Sequence, residues 1–164
     1  MRILGIDPGI AIVGYGIVEK NANLYKAIDY SAITTKAHTP IEERLEIIYK
    51  RMLVIIDVYK PDAMSVEDLF FNNTAKTAFA VGQARGGVLL AAVQNHVPIY
   101  EYTPLQVKQA LTGYGRADKN QIQQMVKSML GLKSVPKPDD VADALAIAIC
   151  HGTSIRFNNI TIFR

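Results

Sequence analysis

The order of apolar and polar positions along the chain predicts strands in its first part and mostly helices in its second. Short apolar runs predict three N-terminal strands that form an antiparallel meander, with a polar turn at residues 20–23. Apolar residues at helical spacing then predict helices, with Thr39 as N-cap and Pro40 as first-turn proline of the first one. The predicted strands lie at 3–6, 11–18, 24–33, 63–66 and 99–102, and the predicted helices at 41–60, 74–95, 105–112, 120–130 and 139–151. This order predicts an α/β fold with a mixed five-stranded sheet flanked by helices.

Length and composition indicate one domain. A chain of 164 residues with 49% hydrophobic content can bury one core, so we assign residues 1–152 to a domain and 153–164 to a short C-terminal tail without assigned function. Cys150 is the single cysteine, which excludes a disulfide and predicts a reduced, cytoplasmic setting. Asp7 interrupts the apolar N-terminus too early for a membrane span, so no membrane association is expected. The net charge of +3 permits nucleic-acid binding without requiring it.

Two acidic residues follow predicted buried strands. Asp7 comes after the apolar run 3–6, and Glu67 comes after the run 63–66. Ligands bind at the carboxyl ends of strands in α/β sheets, so both carboxylates are candidate site residues. Each also has a simpler interpretation: Asp7 as the acid of a tight turn, and Glu67 as a solvent-facing strand end with Asp68 as a competing candidate.

The last predicted helix carries acids on an apolar background. Residues 141–149 are apolar except for Asp143, so its carboxylate has little chance of facing open water. Asp139 or Asp140 is explained as the N-cap or as a first-turn acid favoured by the helix dipole. Asp140 shares a face with Asp143 at i, i+3, and Asp139 does so at i, i+4. This spacing leaves the choice between Asp139 and Asp140 open.

Carboxylates gathered around one cavity predict a divalent metal site. They repel one another strongly unless cations neutralise them, and hard oxygen ligands favour Mg²⁺, with Mn²⁺ as a substitute, over Zn²⁺. Two ions about 3.5 to 4 Å apart would clamp a phosphodiester in line, which requires no catalytic Ser, Cys or His. We therefore expect His38 and His96 to lie in loops and His151 to cap a helix C-terminus, none of them as a ligand.

Aromatic and basic residues surround the predicted site. Phe70 and Phe71 follow Glu67, and they either pack in the core or stack on nucleobases. Basic residues in the segments after the strand ends suit a nucleic-acid backbone that approaches a cluster of acids. These DNA-binding candidates are Lys76, Arg85, Lys108, Arg116 and Lys119.

Five ordered segments resemble the RuvC family of Holliday-junction resolvases: residues 5–9 (GIDPG), 66–70 (VEDLF), 82–86 (GQARG), 106–109 (QVKQ) and 140–146 (DVADALA). The resemblance covers nearly the whole chain. It implies a ribonuclease H-like nuclease domain, a homodimer, Mg²⁺-dependent cleavage of opposed strands of four-way junction DNA, and the RuvA and RuvB branch-migration proteins as partners. It also implies that Phe70 stacks at the junction crossover and that Lys108 and Lys119 lie near the scissile phosphate. The catalytic metal ligands that it implies are Asp7, Glu67, Asp140 and Asp143, which favours Asp140 over Asp139.

The resemblance has one local departure and two rivals. Residues 71–73 (FNN) lack the basic residue that some family members carry, so weaker strand contacts are expected there. The segment 5–9 alone is also similar to the start of sugar kinases and actin-like ATPases, but such folds carry a second phosphate-binding half for which 164 residues leave no room. The presence of all four acids argues against the other rival, a non-catalytic nucleic-acid module.

Overall fold

The secondary structure follows the predicted order. The structure, a computed structural model, describes residues 1–68 and 75–155, except for the side chains of residues 75 and 76. No helix within those ranges is both long and apolar enough to cross a lipid bilayer. The strands in this part of the chain are β1 (Arg2–Asp7), β2 (Ile12–Asn21), β3 (Leu24–Thr34), β4 (Ala63–Glu67) and β5 (Ile99–Tyr102), and the helices are α1 (Ile41–Tyr59), α2 (Ala75–Gln94), α3 (Pro104–Thr112), α4 (Lys119–Met129) and α5 (Asp139–Ser154).

The strands form one mixed sheet in the order β3-β2-β1-β4-β5, which confirms the predicted five-stranded architecture. β1, β2 and β3 pair antiparallel as a meander, whereas β4 pairs parallel with both β1 and β5. β1 and β4 are parallel neighbours with Ile6 opposite Val66. Because of this register, the last residues of the two strands, Asp7 and Glu67, reach the same edge of the sheet.

Apolar side chains on the two faces of the sheet form two separate cores. One face, which includes Leu4 and Ile6 of β1, is buried against α1 and α2. The other face, which includes Ile3 of β1 and Val18 of β2, is buried against α3, α4 and α5. Neighbouring residues of a strand point to opposite faces of the sheet. The sequence of a strand that is buried on both faces is therefore a continuous apolar run, as in β1.

Helix α5 lies directly on the backbone of β1 and β2. A Cβ atom added to Gly5 would lie 2.0 Å from the carbonyl oxygen of Ala144, and one added to Gly14 would lie 2.0 Å from the carbonyl oxygen of Asp140. Only glycine permits so close an approach of helix and strand. These glycines therefore set the distance between the sheet and the first turns of α5.

Two helices begin at the predicted residues but have different N-caps from those considered. Pro40, and not Thr39, is the N-cap of α1, and no side chain caps that helix. The N-cap of α5 is Pro138, so Asp139 and Asp140 both lie inside the first turn and neither is the cap. The fixed backbone angle of proline suits a helix start, and here it prevails over the preference for a polar N-cap.

His151 is buried, contrary to the expectation that it caps the end of α5. The helix continues to Ser154, three residues past its predicted end, so His151 lies within the helix and packs below β5. Its Nδ1 atom is 2.8 Å from the hydroxyl oxygen of Tyr102, and its ring centroid is 4.3 Å from that of Tyr100. Burial lowers the pKa of His151 to about 4, so its ring is neutral at physiological pH. The other two histidines lie in turns, as predicted.

Candidate active site

Asp7 and Glu67 lie side by side where β1 and β4 end. The parallel register of these strands brings the two residues to the same edge of the sheet. Their carboxyl groups are close enough for each to shift the pKa of the other. Asp68, the competing candidate, lies one residue further, and its backbone N–H donates to the carbonyl oxygen of Tyr102. Burial lowers the pKa of the Arg85 guanidinium on α2, whereas the negative charge of Asp68 favours its protonated form.

The acids of α5 reach the same place because the helix packs on glycine. Gly14 of β2 pairs with Asp7 of β1, and the carbonyl oxygen of Asp140 lies directly against Gly14. Asp143 follows one helical turn later, and it lines a cleft together with Glu67. Its side chain is 31% exposed, as expected for an acid on an apolar helix. The structure thus brings the four predicted acids together.

Burial and mutual repulsion raise the pKa values of three of these acids. The pKa of Asp7 rises to about 8, first because of burial and then because of the negative charges of its acidic neighbours. Burial, followed by the charge of Asp143, raises the pKa of Glu67. Burial also raises the pKa of Asp143, although Lys119 opposes this rise. The cluster therefore favours the uptake of a proton or a cation.

The donor atoms of this cluster fit a hard divalent cation. All of them are carboxylate oxygens, the ligand type that suits Mg²⁺ and Mn²⁺. Within residues 1–68 and 75–155, no three acidic, His or Cys side chains already have the geometry of a formed metal site. The ammonium group of Lys119 lies beside Asp143, and the raised pKa values of Asp7 and Glu67 favour the protonated forms of these two acids. A divalent cation would neutralise the ionised carboxylates in place of these protons.

A cleft of about 200 Å³ opens beside the acids between α3, α4 and α5. Lys108 from α3 and Lys119, the first residue of α4, contribute its cations. The Lys119 ammonium lies 3.2 Å from Asp143 Oδ2, and a capping box between Asp118 and Gln121 fixes the start of α4 next to it. Sequence reasoning did not single out the apolar wall of the cleft, whose residues have the spacing of ordinary core positions: Pro104, Val107, Ile122, Ala146 and Ile147.

Asp139 lies beside the acid cluster and not within it. Its carboxylate accepts a hydrogen bond from Lys137 Nζ at 2.6 Å and lies 3.4 Å from Lys119 Nζ. The hydrogen bond from Lys137, followed by the charge of Lys119, lowers the pKa of Asp139, in contrast to the raised pKa of Asp143. Asp140, unlike Asp139, is among the acids that act on Asp7. Both Asp139 and Asp140 raise the pKa of Asp143, but of the two only Asp140 also acts on Asp7, which favours Asp140 as the fourth acid of the cluster.

The remaining predicted DNA-binding residues differ in their surroundings. Arg85 forms an ion pair with Glu101 of β5, and only 15% of its side chain is exposed. Arg116 is exposed in the link between α3 and α4. Phe70 lies outside the described residues, as does Phe71. The internal pairing of Arg85 was missed, although Glu101 is an isolated acid within a short strand, which is a signal for a paired charge.

The whole chain is similar to known nucleases. The family model described as Crossover junction endodeoxyribonuclease RuvC matches residues 3–151. A protein of that description from Halothermothrix orenii is 60% identical over 158 residues, which cover 96% of both chains. Another, from Clostridioides difficile, is 62% identical over 154 residues, which cover 94% of this chain and 91% of the relative.

Solved structures give the same result. The structure of Thermus thermophilus RuvC in complex with Holliday junction substrate matches with a TM-score of 0.95 at 40% identity, over 99% of each chain. The yeast mitochondrial Holliday junction resolvase Ydc2 matches with a TM-score of 0.64 at 14% identity, over 96% of this chain and 83% of that one. The likeness to Ydc2 is one of fold alone.

Proposed function

This chain belongs to the RuvC family of crossover junction endodeoxyribonucleases, and we infer that it resolves Holliday junctions in DNA recombination and repair. It has the ribonuclease H-like fold of that family. The observation that carries the functional proposal is the acid cluster at the edge of the sheet, next to a cleft that contains two lysines. Acids and cations arranged in this way suit hydrolysis of a phosphodiester, in which a phosphate has to approach carboxylates.

We propose Mg²⁺ as the cofactor, with two ions in each active site and Mn²⁺ as a substitute. Asp7, Glu67, Asp140 and Asp143 would hold the ions. The bound ions would activate water and stabilise the leaving 3′ oxygen. The support from the structure is the raised pKa of Asp7, because a cluster that cannot ionise fully by itself gains most from a divalent cation.

The lysines of the cleft have a complementary role. Lys108 and Lys119 would pair with the oxygens of the scissile phosphate and offset its repulsion from the acids. Lys119 already lies 3.2 Å from Asp143, so its ammonium is held at the border between the acids and the cleft. The Lys119 side chain is 56% exposed, so its ammonium is open to a phosphate that enters the cleft.

A homodimer is the assembly that this function calls for, since a two-fold symmetric enzyme matches opposed cuts in a four-way junction. The structure supports it with a stripe on α2. Phe79, Leu90 and Val93 are 70%, 51% and 60% exposed, and they recur at helical spacing with Gly86 between them. A Cβ added to Gly86 would have no atom within 4 Å, so a second helix can approach closely there. We propose that this stripe is the dimer contact.

Phe79→Glu tests the dimer contact, because it places a charge within the proposed apolar interface. Sedimentation velocity should show a dimer for the wild type and a monomer for the variant. Leu24→Glu is the matched control, since Leu24 is 76% exposed on β3 and its replacement should leave the dimer intact. A dimeric Phe79→Glu protein would exclude the α2 stripe as the contact.

Cleavage of a labelled four-way junction, beside a linear duplex of identical sequence, tests the function itself. With Mg²⁺ the junction should be cut on two opposed strands and the duplex left intact, and EDTA should prevent cutting. Equal cutting of both substrates would leave a nuclease without junction selectivity. ATP-binding calorimetry addresses the kinase-like rival, and nucleotide-specific binding would favour it.

We further propose RuvA and RuvB as partners, on the basis of family membership. If this is correct, the protein should co-elute with a junction that carries purified RuvA and RuvB. Co-elution with the bare junction but not with this complex would contradict the proposal.

A further inference from the structure

Basic charge is concentrated in one stretch of the chain next to the cleft. Residues 119–138 contain four lysines and neither Asp nor Glu, whereas the whole chain has a net charge of only +3. The rest of the chain therefore carries a net charge of −1. The stretch itself contains no acid, although the adjacent residues Asp139 and Asp143 pair with Lys119, and Asp139 also pairs with Lys137. Besides Lys119, its lysines are Lys127, Lys133 and Lys137, which we call the lysine ridge.

The fold places both ends of this stretch at the active site. α4 begins at Lys119, which lines the cleft. The stretch returns to the start of α5, where the Lys137 ammonium lies 2.6 Å from Asp139. Asp139 also pairs with Lys119, so Lys119 and Lys137 flank a single carboxylate. The segment between Lys119 and Lys137 contains the other two lysines. Lys127 lies in the last turn of α4, and Lys133 lies in the connection between α4 and α5.

The lysine ridge is available to an anionic partner. Among the described residues, Lys127 and Lys133 have no acidic group within ion-pair distance. Lys133 and Lys137 are exposed, and Lys127 is half-buried in the last turn of α4. None of the large apolar side chains exposed in the described part of the chain falls within residues 119–138. The surface thus lacks the apolar anchors that dominate protein interfaces, and charge without such anchors suits a phosphate backbone.

We propose that Lys127, Lys133 and Lys137 bind the phosphate backbone of the junction arm that leaves the cleft. This inference rests on the proposed junction-resolving function and extends its DNA-binding surface beyond the scissile phosphate. Lys127 lies about 12 Å along the helix axis from Lys119, at roughly 1.5 Å per residue. That distance equals the rise of three to four base pairs at about 3.4 Å each, so the lysine ridge reaches phosphates that Lys119 cannot.

The salt dependence of junction binding tests the proposal. Each neutralised phosphate contributes about 0.9 to the slope of log affinity against log salt. In EDTA, the combined variant Lys127→Ala, Lys133→Ala, Lys137→Ala should therefore have a slope smaller by about 2.7 than the wild type. Between about 50 and 200 mM salt, the wild type should lose about 40-fold more affinity than this variant, and each single variant should account for about a 3.5-fold share.

Lys50→Ala is the matched control. Lys50 and Lys137 are 67% and 70% exposed, and each pairs with one acid at 2.6 Å, but Lys50 lies on α1, on the opposite face of the sheet. The control should keep the wild-type slope. An unchanged slope in the triple variant, or an equal change in Lys50→Ala, would overturn the inference even if the wild type cuts junctions normally. Failure of the wild type to bind and cut junctions would instead refute the proposed function.

Discussion

Replacing Asp7 by Asn should stabilise the metal-free protein while abolishing its activity. Asp7 lies among carboxylates, and burial together with those neighbours raises its pKa to about 8 from the ordinary 3.8. A group with a raised acid pKa holds its proton in the folded state at pH values where the unfolded chain has lost it. The folded state therefore binds more protons between these two pKa values, and stability falls as the pH rises through that window.

The size of the effect follows from the shift. The interval between the ordinary pKa of 3.8 and pH 7 spans about three pH units, and each unit corresponds to about 1.4 kcal/mol. At pH 7 the unfavourable environment of the Asp7 carboxyl group therefore lowers the free energy of unfolding by about 4 kcal/mol at most. Asn does not titrate, so Asp7→Asn should gain on the order of 1 to 4 kcal/mol at pH 7 and almost nothing near pH 4.

Urea unfolding in EDTA across this pH range measures the prediction. Asp57→Asn on the exposed surface of α1 is the matched control, and it should show no pH-dependent gain. Added Mg²⁺ should stabilise the wild type more than Asp7→Asn, because the variant lacks one proposed ligand. A variant that is less stable than the wild type at pH 7, or a gain that does not vary with pH, would refute the electrostatic reasoning.

Cutting should fail in the same variant. Asp7→Asn should bind junctions as well as the wild type or slightly better, because one negative charge that faces phosphate is removed. Its single-turnover cleavage with Mg²⁺ should be lost. Retained cleavage would remove Asp7 from the site.

The other predictions concern residues around the acids. Lys108→Ala and Lys119→Ala should slow cleavage, with an affinity loss that is independent of DNA sequence and largest at low salt; a sequence-dependent loss would indicate base readout. Asp139→Asn should lose little stability and keep its cleavage activity, since Asp139 is not the N-cap, its pairs with Lys119 and Lys137 are exposed, and it does not act on Asp7; a folded but inactive variant would favour Asp139 over Asp140. Phe70→Ala should melt close to wild type yet cleave poorly, and Phe70→Trp or Phe70→Tyr should recover much of the cleavage activity. The reason is that an exposed stacking ring contributes about 1 to 3 kcal/mol to DNA binding, whereas a buried phenylalanine contributes about 3 to 5 kcal/mol to folding. Thermal melting and single-turnover cleavage on the same preparations separate these roles, and a destabilised Phe70→Ala with normal cleavage would show a core residue.

The sheet and the positions of its acids could be predicted because they depend on local periodicity. A run such as 3–6 that is apolar on both faces identifies a central strand, and the acid after it must emerge at the sheet edge. The N-cap of α5 could not be predicted in the same way. Whether Asp139 or its neighbour caps the helix depends on backbone angles that Pro138 fixes.

Long-range contacts account for the other differences. His151 is interior because α5 continues and packs its last turn below Tyr100 and Tyr102, contacts about 50 residues apart in sequence that no local pattern records. The pairing of Arg85 with Glu101 depends likewise on α2 and β5 meeting in space. Composition at these positions indicates a charge or a ring, but only the tertiary fold determines its partner.

The contact between α5 and the glycines of β1 and β2 has a consequence for transplanting this chemistry. Where a helix packs on a sheet through side chains, replacing core residues shifts the distance between the two. The backbone of α5 instead contacts the backbone of β1 and β2, and Gly5 and Gly14 have no side chain to replace. Small changes in the volume of core side chains should therefore change the distance between Asp7 and the acids of α5 very little. A designer who moves the acids onto a new scaffold must move both glycines with them, because a scaffold with ordinary helix–sheet spacing would hold the same carboxylates too far apart.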